Sequence, residues 1–403
     1  MIIFLIFACL TALGLIAYGF QIWSIRSTIK KKVAGEVIGD NSAPLPAVSI
    51  LKPLKGLDDN LFDNLESICM QDYPEYEIIF SLQDHNDPAY KVAKKIKDKY
   101  PDKDISVITK RCNVGLNPKV NNLIPAYKIA KYEHILISDS NVMVNRNYLQ
   151  EIVKYMEDPD VGLVSNIIKG TRGRSFGSIF ENLHLNSFIM GSVCFLDRFL
   201  KMPCVIGKSM LMRKKDLEDI GGFSTVKDVL AEDYVIGKKM YKRGKKVILS
   251  NHMIKNVNEY WGINKFINRH ARWGKLRWKI GGIRYLSELF SNAVFMSFFP
   301  IFLWEPSKIT IAFAACVSSI KILGDIYIGR YIKTNMNCLL YLVSPIKDLL
   351  IGFIWFIPLL SNTVVWRGNR YIIGKDSALS PYPETGFWSW RYRLVDAVKT
   401  HLA

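Results

Sequence analysis

No CxxC pair occurs among the seven cysteines, which stand at positions 9, 69, 112, 194, 204, 316 and 338. Their number is odd and at least two lie in apolar runs, so neither a disulfide framework nor a zinc site is indicated. The compartment facing the polar part of the chain is expected to be reducing. Acidic residues are scarce, with 36 Asp and Glu against 54 Lys and Arg and a net charge of +18 over 403 residues. There is no low-complexity tract and no internal repeat. What is plentiful is apolar: hydrophobic residues make up 49%, and mean hydropathy is +0.10 with a pI near 9.4. A basic soluble nucleic-acid binder is not normally this apolar. Basic plus apolar reads as a membrane protein with positively charged cytoplasmic surfaces, or one that handles anionic substrates.

Residues 2–23, "IIFLIFACLTALGLIAYGFQIW", carry no charge and suffice to cross a bilayer, which takes roughly 20 residues. No basic stretch precedes them and no small-residue cleavage site follows, so a retained anchor is expected and not a removed signal peptide. Arg26, Lys30, Lys31 and Lys32 follow at once. The positive-inside rule then places the N-terminus outside and the chain from about residue 25 in the cytoplasm. The expected divisions are an anchor (1–24), a basic linker (25–46), a catalytic region (47–285), a second membrane region (286–366) and a basic tail (367–403).

After the linker "AGEVIGDNSAPLPA", short apolar runs alternate with helical patterns: "AVSILKP", "YEIIFSLQD", "ISVIT", "HILISDS" and "VGLVSN". This is the βαβ signature of a mostly parallel sheet covered by helices, an α/β fold. Ligands of such sheets sit beyond the carboxyl ends of the strands. Asp84 and Asp139 follow two of these runs directly. Apolar segments resume near 288–304, 309–324 and 338–362, the last interrupted by Pro345, Lys347 and Asp348. Three spans would put the tail outside, yet Arg367, Arg370, Lys375, Arg391 and Arg393 favour the cytoplasm, so one segment is open to a re-entrant or interfacial reading.

Each polar motif has a chemical reading and a plain one. In "SLQDHNDP" and "ILISDSN", Asp84, Asp87, Asp139 and Asn141 lie at strand ends. A carboxylate there, with a second oxygen ligand two positions on, can hold Mg²⁺ or Mn²⁺ against a diphosphate. The plain reading is a strand-ending turn or a helix cap. "AEDY" brings Glu232 and Asp233 before a helical stretch, where capping is the plain reading. In "VGLNPKVNNL", Gly115, Asn117, Lys119 and Asn122 suit an anionic phosphate site, or equally a solvated loop. In "NRHARWGKLRW" (268–278), four basic residues and two tryptophans share eleven positions. On a helix, Arg269, Arg272 and Trp273 fall on one face and could clasp a diphosphate. An interfacial amphipathic helix explains the stretch as well.

The order of these motifs is more specific than any one of them. Asp84, Asp139, Glu232-Asp233 and Arg269-x-x-Arg272-Trp273 follow the D, DxD-like, ED, (Q/R)xxRW series of family-2-type glycosyltransferases. The blocks "ILKPLKGLDDNLFDNLESICMQDYPEYEIIFSLQDHNDPA", "VGLNPKVNNLIPAYKIAKY", "SDSN", "CVIGKSMLMRK", "GGF", "AEDY" and "RHARWGKLR" closely resemble the ceramide glucosyltransferases (glucosylceramide synthases) over roughly residues 48–280. Looser similarity runs on to "WRGNRY". The resemblance implies a GT-A fold (Rossmann-like, with a mostly parallel sheet) flanked by membrane helices. It also implies inverting transfer of glucose from UDP-glucose to the primary hydroxyl of ceramide at the cytosolic membrane face. By position, Asp233 would be the catalytic base and Asp139 would bind the divalent cation. Asp84, Lys119, Asn122, Arg269, Arg272 and Trp273 would serve the nucleotide sugar and its diphosphate. Asn141 stands where a full DxD has its second acid, which leaves Asp139 and the diphosphate as the main metal ligands.

Two other readings remain. A different membrane glycosyltransferase could use another lipid acceptor, such as a hopanoid or diacylglycerol, another UDP-sugar, or build a polysaccharide. A membrane-tethered nucleotide-sugar binder without activity is the other, and the presence of Asp84, Asp139, Asp233, Arg269 and Arg272 argues against it. The bilayer is an expected partner and nucleic acid is not.

Overall fold

A computed structural model describes residues 2–30, 44–303, 306–366 and 368–383. Lys31, Lys32, most of the linker, Arg367, and the tail from 384 with Arg391 and Arg393 lie outside the described residues.

Strands β1 (Val48–Pro53), β2 (Tyr76–Leu82), β3 (Ile105–Thr109), β4 (His134–Ser138), β5 (Val142–Met143), β6 (Val161–Thr171), β7 (Ser209–Arg213) and β8 (Lys246–Val257) form one sheet. Its order is β3-β2-β1-β4-β7-β6-β8-β5. β3, β2, β1 and β4 run parallel, β7 pairs antiparallel with β4 and β6, and β6 pairs parallel with β8. All six residues of β1 are buried, as expected of a strand covered on both faces. Successive side chains alternate between the two layers. Ile50 joins Val48, Leu136 and Leu211 in one core, and Leu51 joins Ile79, Ile135 and Met210 in the other.

Asp and Asn caps set the loops at the strand ends. Asp87 caps helix Pro88–Lys99, accepting from Ala89 N, with Pro at the first helical position, where a missing N–H costs nothing. The same carboxylate accepts from Gly56 N at 2.9 Å, pinning the loop after β1. Asn117 caps helix Pro118–Ile129, accepting from Lys119 N and Val120 N.

Among the described residues four helices are long and apolar enough to cross a membrane: Ile2–Ile29, Phe176–Leu200, Lys308–Tyr331 and Cys338–Leu360. Ile263–Phe290 and Ala293–Leu303 form a fifth candidate, bent by 70°. The chain is a membrane protein by this count. Phe176–Leu200 was not legible as an apolar run, because Glu181, Asn182, His184 and Asn186 interrupt it; the structure buries all four. The 288–304 segment is no straight span, since its helix has eleven residues and contains Pro300. The first helix packs closely on this bend: a Cβ at Gly14 would lie 2.8 Å from Phe290 O, so a small residue sets the approach. Finally β9 (Thr363–Trp366), β10 (Asn369–Ile373) and β11 (Leu379–Pro381) form a small antiparallel sheet.

Candidate active site

The strand ends bring Lys119, Asp139, Glu232 and Asp233 together from three separate motifs. Lys119 Nζ lies 2.8 Å from Asp139 Oδ1 and 2.9 Å from Glu232 Oε1, and donates to Gly207 O at 2.7 Å. Burial opposes its charge, but Asp139 and Glu232 outweigh burial and raise its proton affinity. Asn117 holds the arrangement from below, donating to Val229 O at 2.8 Å and to Glu232 Oε2 at 3.3 Å. The "VGLNPK" turn and the "AEDY" turn are thus one unit.

Asp139 follows β4. Lys208 Nζ stands 3.7 Å from its Oδ2, and Lys52 Nζ donates to its backbone O at 2.8 Å. Burial pushes the Asp139 carboxyl up, but Lys119 and Lys208 prevail and hold it at about 2, so it is ionised at any working pH. Lys208 also donates to Asn141 Oδ1 at 2.6 Å. Burial lowers Lys208 to about 8, against the pull of Asp139 and with the push of Arg269. Lys52, fully buried, falls to about 7 for the same first reason. Neither lysine was singled out from sequence. Lys52 left a signal, a charge inside the otherwise apolar run "AVSILKP", where an unpaired lysine is almost never buried.

Asp233 has a different environment. Its Oδ2 accepts from Gly207 N and its Oδ1 from Tyr234 N, both at 2.8 Å. Burial, then the charge of Glu232, raise it to about 6, with Lys119 opposing. A carboxyl poised there can take a proton near neutral pH. The close approach needs glycine: a Cβ at Gly207 would fall 2.6 Å from Asp233 Oδ2. The cap of this helix is Ala231, which has no side-chain cap. Asp233 itself satisfies the first-turn Tyr234 N and also reaches out of the helix to Gly207 N.

Asp84 is exposed beyond β2, its Oδ1 accepting from Asn86 N at 2.9 Å. Asn122 is buried with both polar ends engaged: it donates to Leu54 O at 2.9 Å and accepts from Gln83 Nε2 at 2.5 Å. It braces the ends of β1 and β2.

Helix Ile263–Gly281 carries the arginine motif. Arg269 is sandwiched between indoles, its guanidinium 4.3 Å from the Trp273 ring centre and 5.1 Å from that of Trp261. Its Nε lies 3.1 Å from Glu181 Oε1. Trp273 packs against the sheet core. Arg272, half-buried, shares the face of Arg269. Glu181 also escaped the sequence reading; it comes from the Phe176–Leu200 helix, 88 residues upstream of Arg269, and no local pattern links them.

The small C-terminal sheet reaches this site. Leu230 N donates to Ser377 O at 2.9 Å, Ala231 N to Ser377 Oγ at 3.3 Å, and Leu379 N to Asp228 O at 2.7 Å. Asp228 Oδ1 in turn accepts from Leu116 N at 2.9 Å. The loop before Glu232 is stitched on both sides.

The model of glycosyl transferase family 21 matches residues 6–379. Ceramide glucosyltransferase 3 of Caenorhabditis elegans is 28% identical over 385 residues, covering 93% of this chain and 80% of that protein. A ceramide glucosyltransferase of Komagataella phaffii is 31% identical over 196 residues, 42% of this chain and 38% of that one. Among solved structures, a mannosyltransferase from Pyrobaculum calidifontis, in complex with GDP-Man and Mn2+, aligns with a TM-score of 0.51 at 17% identity, over 88% of this chain and 99% of that one. That likeness speaks for the GT-A fold. With a family match over nearly its whole length, the chain belongs to glycosyl transferase family 21.

Proposed function

We propose that this chain is an inverting glucosyltransferase that moves glucose from UDP-glucose to the primary hydroxyl of ceramide, releasing UDP. The carrying observation is the pairing of Asp233, a carboxyl on two backbone N–H groups, with the Lys119–Asp139 ion pair across Gly207. In the reaction the acceptor hydroxyl gives its proton to Asp233 as its oxygen bonds to the sugar's anomeric carbon. The bond from that carbon to the diphosphate breaks, and UDP leaves with the electron pair. Lys119, Lys208, Arg269 and Arg272 supply positive charge toward the diphosphate as that charge develops. Asp84 serves the nucleotide end.

Asp139 and Asn141 would hold a divalent cation, Mg²⁺ or Mn²⁺, once Lys208 gives up the contacts it now makes with Asp139 Oδ2 and Asn141 Oδ1. The ionised carboxylate and the Asn141 amide oxygen are hard ligands of the right kind. Among the described residues no group of three or more His, Cys, Asp or Glu could hold a metal, so the diphosphate would complete the set. When bound, the cation neutralises charge on the leaving UDP.

A lipid acceptor accounts for the membrane helices, and the basic flank of the first helix suits a cytoplasmic catalytic region. Arg26 sits over the rings of Tyr327 and Tyr331, at 5.9 and 5.8 Å, as expected at a membrane interface.

Purified protein given UDP-glucose and ceramide should release UDP and yield a ceramide hexoside by mass spectrometry, with UDP-galactose as competitor to test the sugar. A hexosylated hopanoid or diacylglycerol in lipid extracts of expressing cells, with ceramide unused, overturns the acceptor.

A further inference from the structure

Between the membrane helices lies an open-sided cavity that the residues above do not explain. Leu15, Tyr18 and Gln21 of the first helix form one wall, and Ile351 and Trp355 another. His184 and His270 also line it. Small-molecule sites are mostly apolar with a few convergent polar groups.

His184 is the group that needs explaining. It is 1% exposed, yet neither ring nitrogen has a hydrogen-bond partner among the described residues. Its ring stacks on Phe188 at 5.0 Å and meets His270 edge-on at 4.6 Å. A polar side chain left open in an apolar region is costly and marks function by default. Its neighbours do not compete for it: Lys321, which also lines the cavity, is engaged with Ser187 at 3.0 Å and Asp325 at 2.5 Å. His270 donates or accepts at 2.7 Å with Glu181 Oε2.

The cavity is also next to the site. Glu181 bridges His270, on the cavity wall, and Arg269, in the arginine motif. One carboxylate separates the two compartments.

We infer that this cavity seats the acceptor lipid, with His184 hydrogen-bonding the amide or secondary hydroxyl of a ceramide-type molecule. The inference rests on the acceptor reading above and names its binding site. The first helix then forms part of the acceptor site as well as an anchor, since three of its side chains line the wall.

The test uses the full chain in phosphatidylcholine nanodiscs loaded with ceramide, comparing His184→Phe and His184→Gln with the parent. Removing an unpartnered polar group should leave thermal stability unchanged or raised. The KM for ceramide should rise about tenfold in His184→Phe, the worth of one buried hydrogen bond, with UDP-glucose affinity held. His184→Gln should recover part of it. A photoactivatable ceramide should label peptides around 184–188 and 285–294 in the parent, and less in His184→Phe. An unchanged ceramide KM in a folded His184→Phe protein overturns the inference, as does labelling confined to other segments. If the parent does not glucosylate ceramide at all, the acceptor reading fails instead, and the labelling result still reports on the cavity.

Discussion

Lysines and carboxylates are buried together in two places, at the strand ends and among the membrane helices. In the membrane cluster Lys321 lies 2.5 Å from Asp325 Oδ1 and 3.7 Å from Asp348 Oδ2. Lys347 pairs with Asp348, and Tyr18 donates to Asp325 at 2.7 Å. Each carboxylate there has a lysine, and the partners come from three helices, so the cluster ties the bundle together. At the strand ends Lys119 serves Asp139 and Glu232 at contact distance, while Asp233 takes its contacts from backbone N–H groups. The first arrangement neutralises charge; the second leaves one carboxyl able to exchange its proton. Low dielectric makes both costly to disturb, but only the second holds the proposed base.

The largest expected effect tests that distinction directly. Asp233→Asn should lower the transfer rate by about 10²–10⁴-fold, the usual contribution of a general base, while UDP-glucose binding by calorimetry persists. Loss of donor affinity equal to the loss of rate would sink the base assignment.

The membrane cluster should respond in stability. Lys321→Met alone strands Asp325 in apolar surroundings and should cost about 3–5 kcal/mol of stability, read as a lowered thermal midpoint in detergent. Lys321→Met with Asp325→Leu should recover much of it, because replacing a buried ion pair by apolar residues is often neutral. The matching double replacement at the site, Lys119→Met with Glu232→Leu, should leave the enzyme inactive however well it folds. Recovery of activity there would erase the contrast between the two clusters.

pH separates them further. Asp233 must be ionised to accept a proton, so the rate should climb between about pH 5 and 7 with a midpoint near 6. Its raised value also means the folded state holds this proton more tightly than the unfolded chain. That contribution is full below the ordinary 3.8 and is lost as pH rises through about 6. Asp139 has the opposite sign: its contribution is present above 3.8 and lost as pH falls through about 2. A rate flat from pH 5 to 7 would reject the proton-transfer role.

What the sequence made legible follows from how local each signal was. β1, β2, β4 and β6 were read from continuous apolar runs, because strands buried on both faces write themselves that way, and the partly buried edge strand β3 was read from "ISVIT". The acidic strand ends and the arginine helix came from short motifs whose order carried the meaning. Lys208 and Glu181 were not found, since each meets its partner tens of residues away in the chain, across a sheet or between helices. His184 was hidden for a related reason: one histidine in an interrupted apolar stretch looks like a surface helix until the neighbouring helices bury it. The C-terminal sheet left a readable trace, "TVVW" and "NRYII" around Gly368, whose φ of 86° suits a hairpin turn.

That small sheet gives the mildest test, and it bears on the site alone. Ser377 has a φ of 63°, a left-handed backbone that a serine holds only when its surroundings fix it. Its carbonyl and hydroxyl hold Leu230 and Ala231, the two residues before Glu232. Ser377→Ala removes only the hydroxyl bond, worth about 0.5–1.5 kcal/mol, and loosens the turn that carries Asp233. The expected result is a fall in kcat of a few-fold with UDP-glucose KM and the thermal midpoint nearly unchanged, because the membrane cluster sets global stability and is untouched. If Ser377→Ala instead lowers the midpoint as far as Lys321→Met does, the sheet is part of the same stabilising unit as the membrane bundle. The separation between a proton-exchanging site and a charge-neutral anchor would then have to be abandoned.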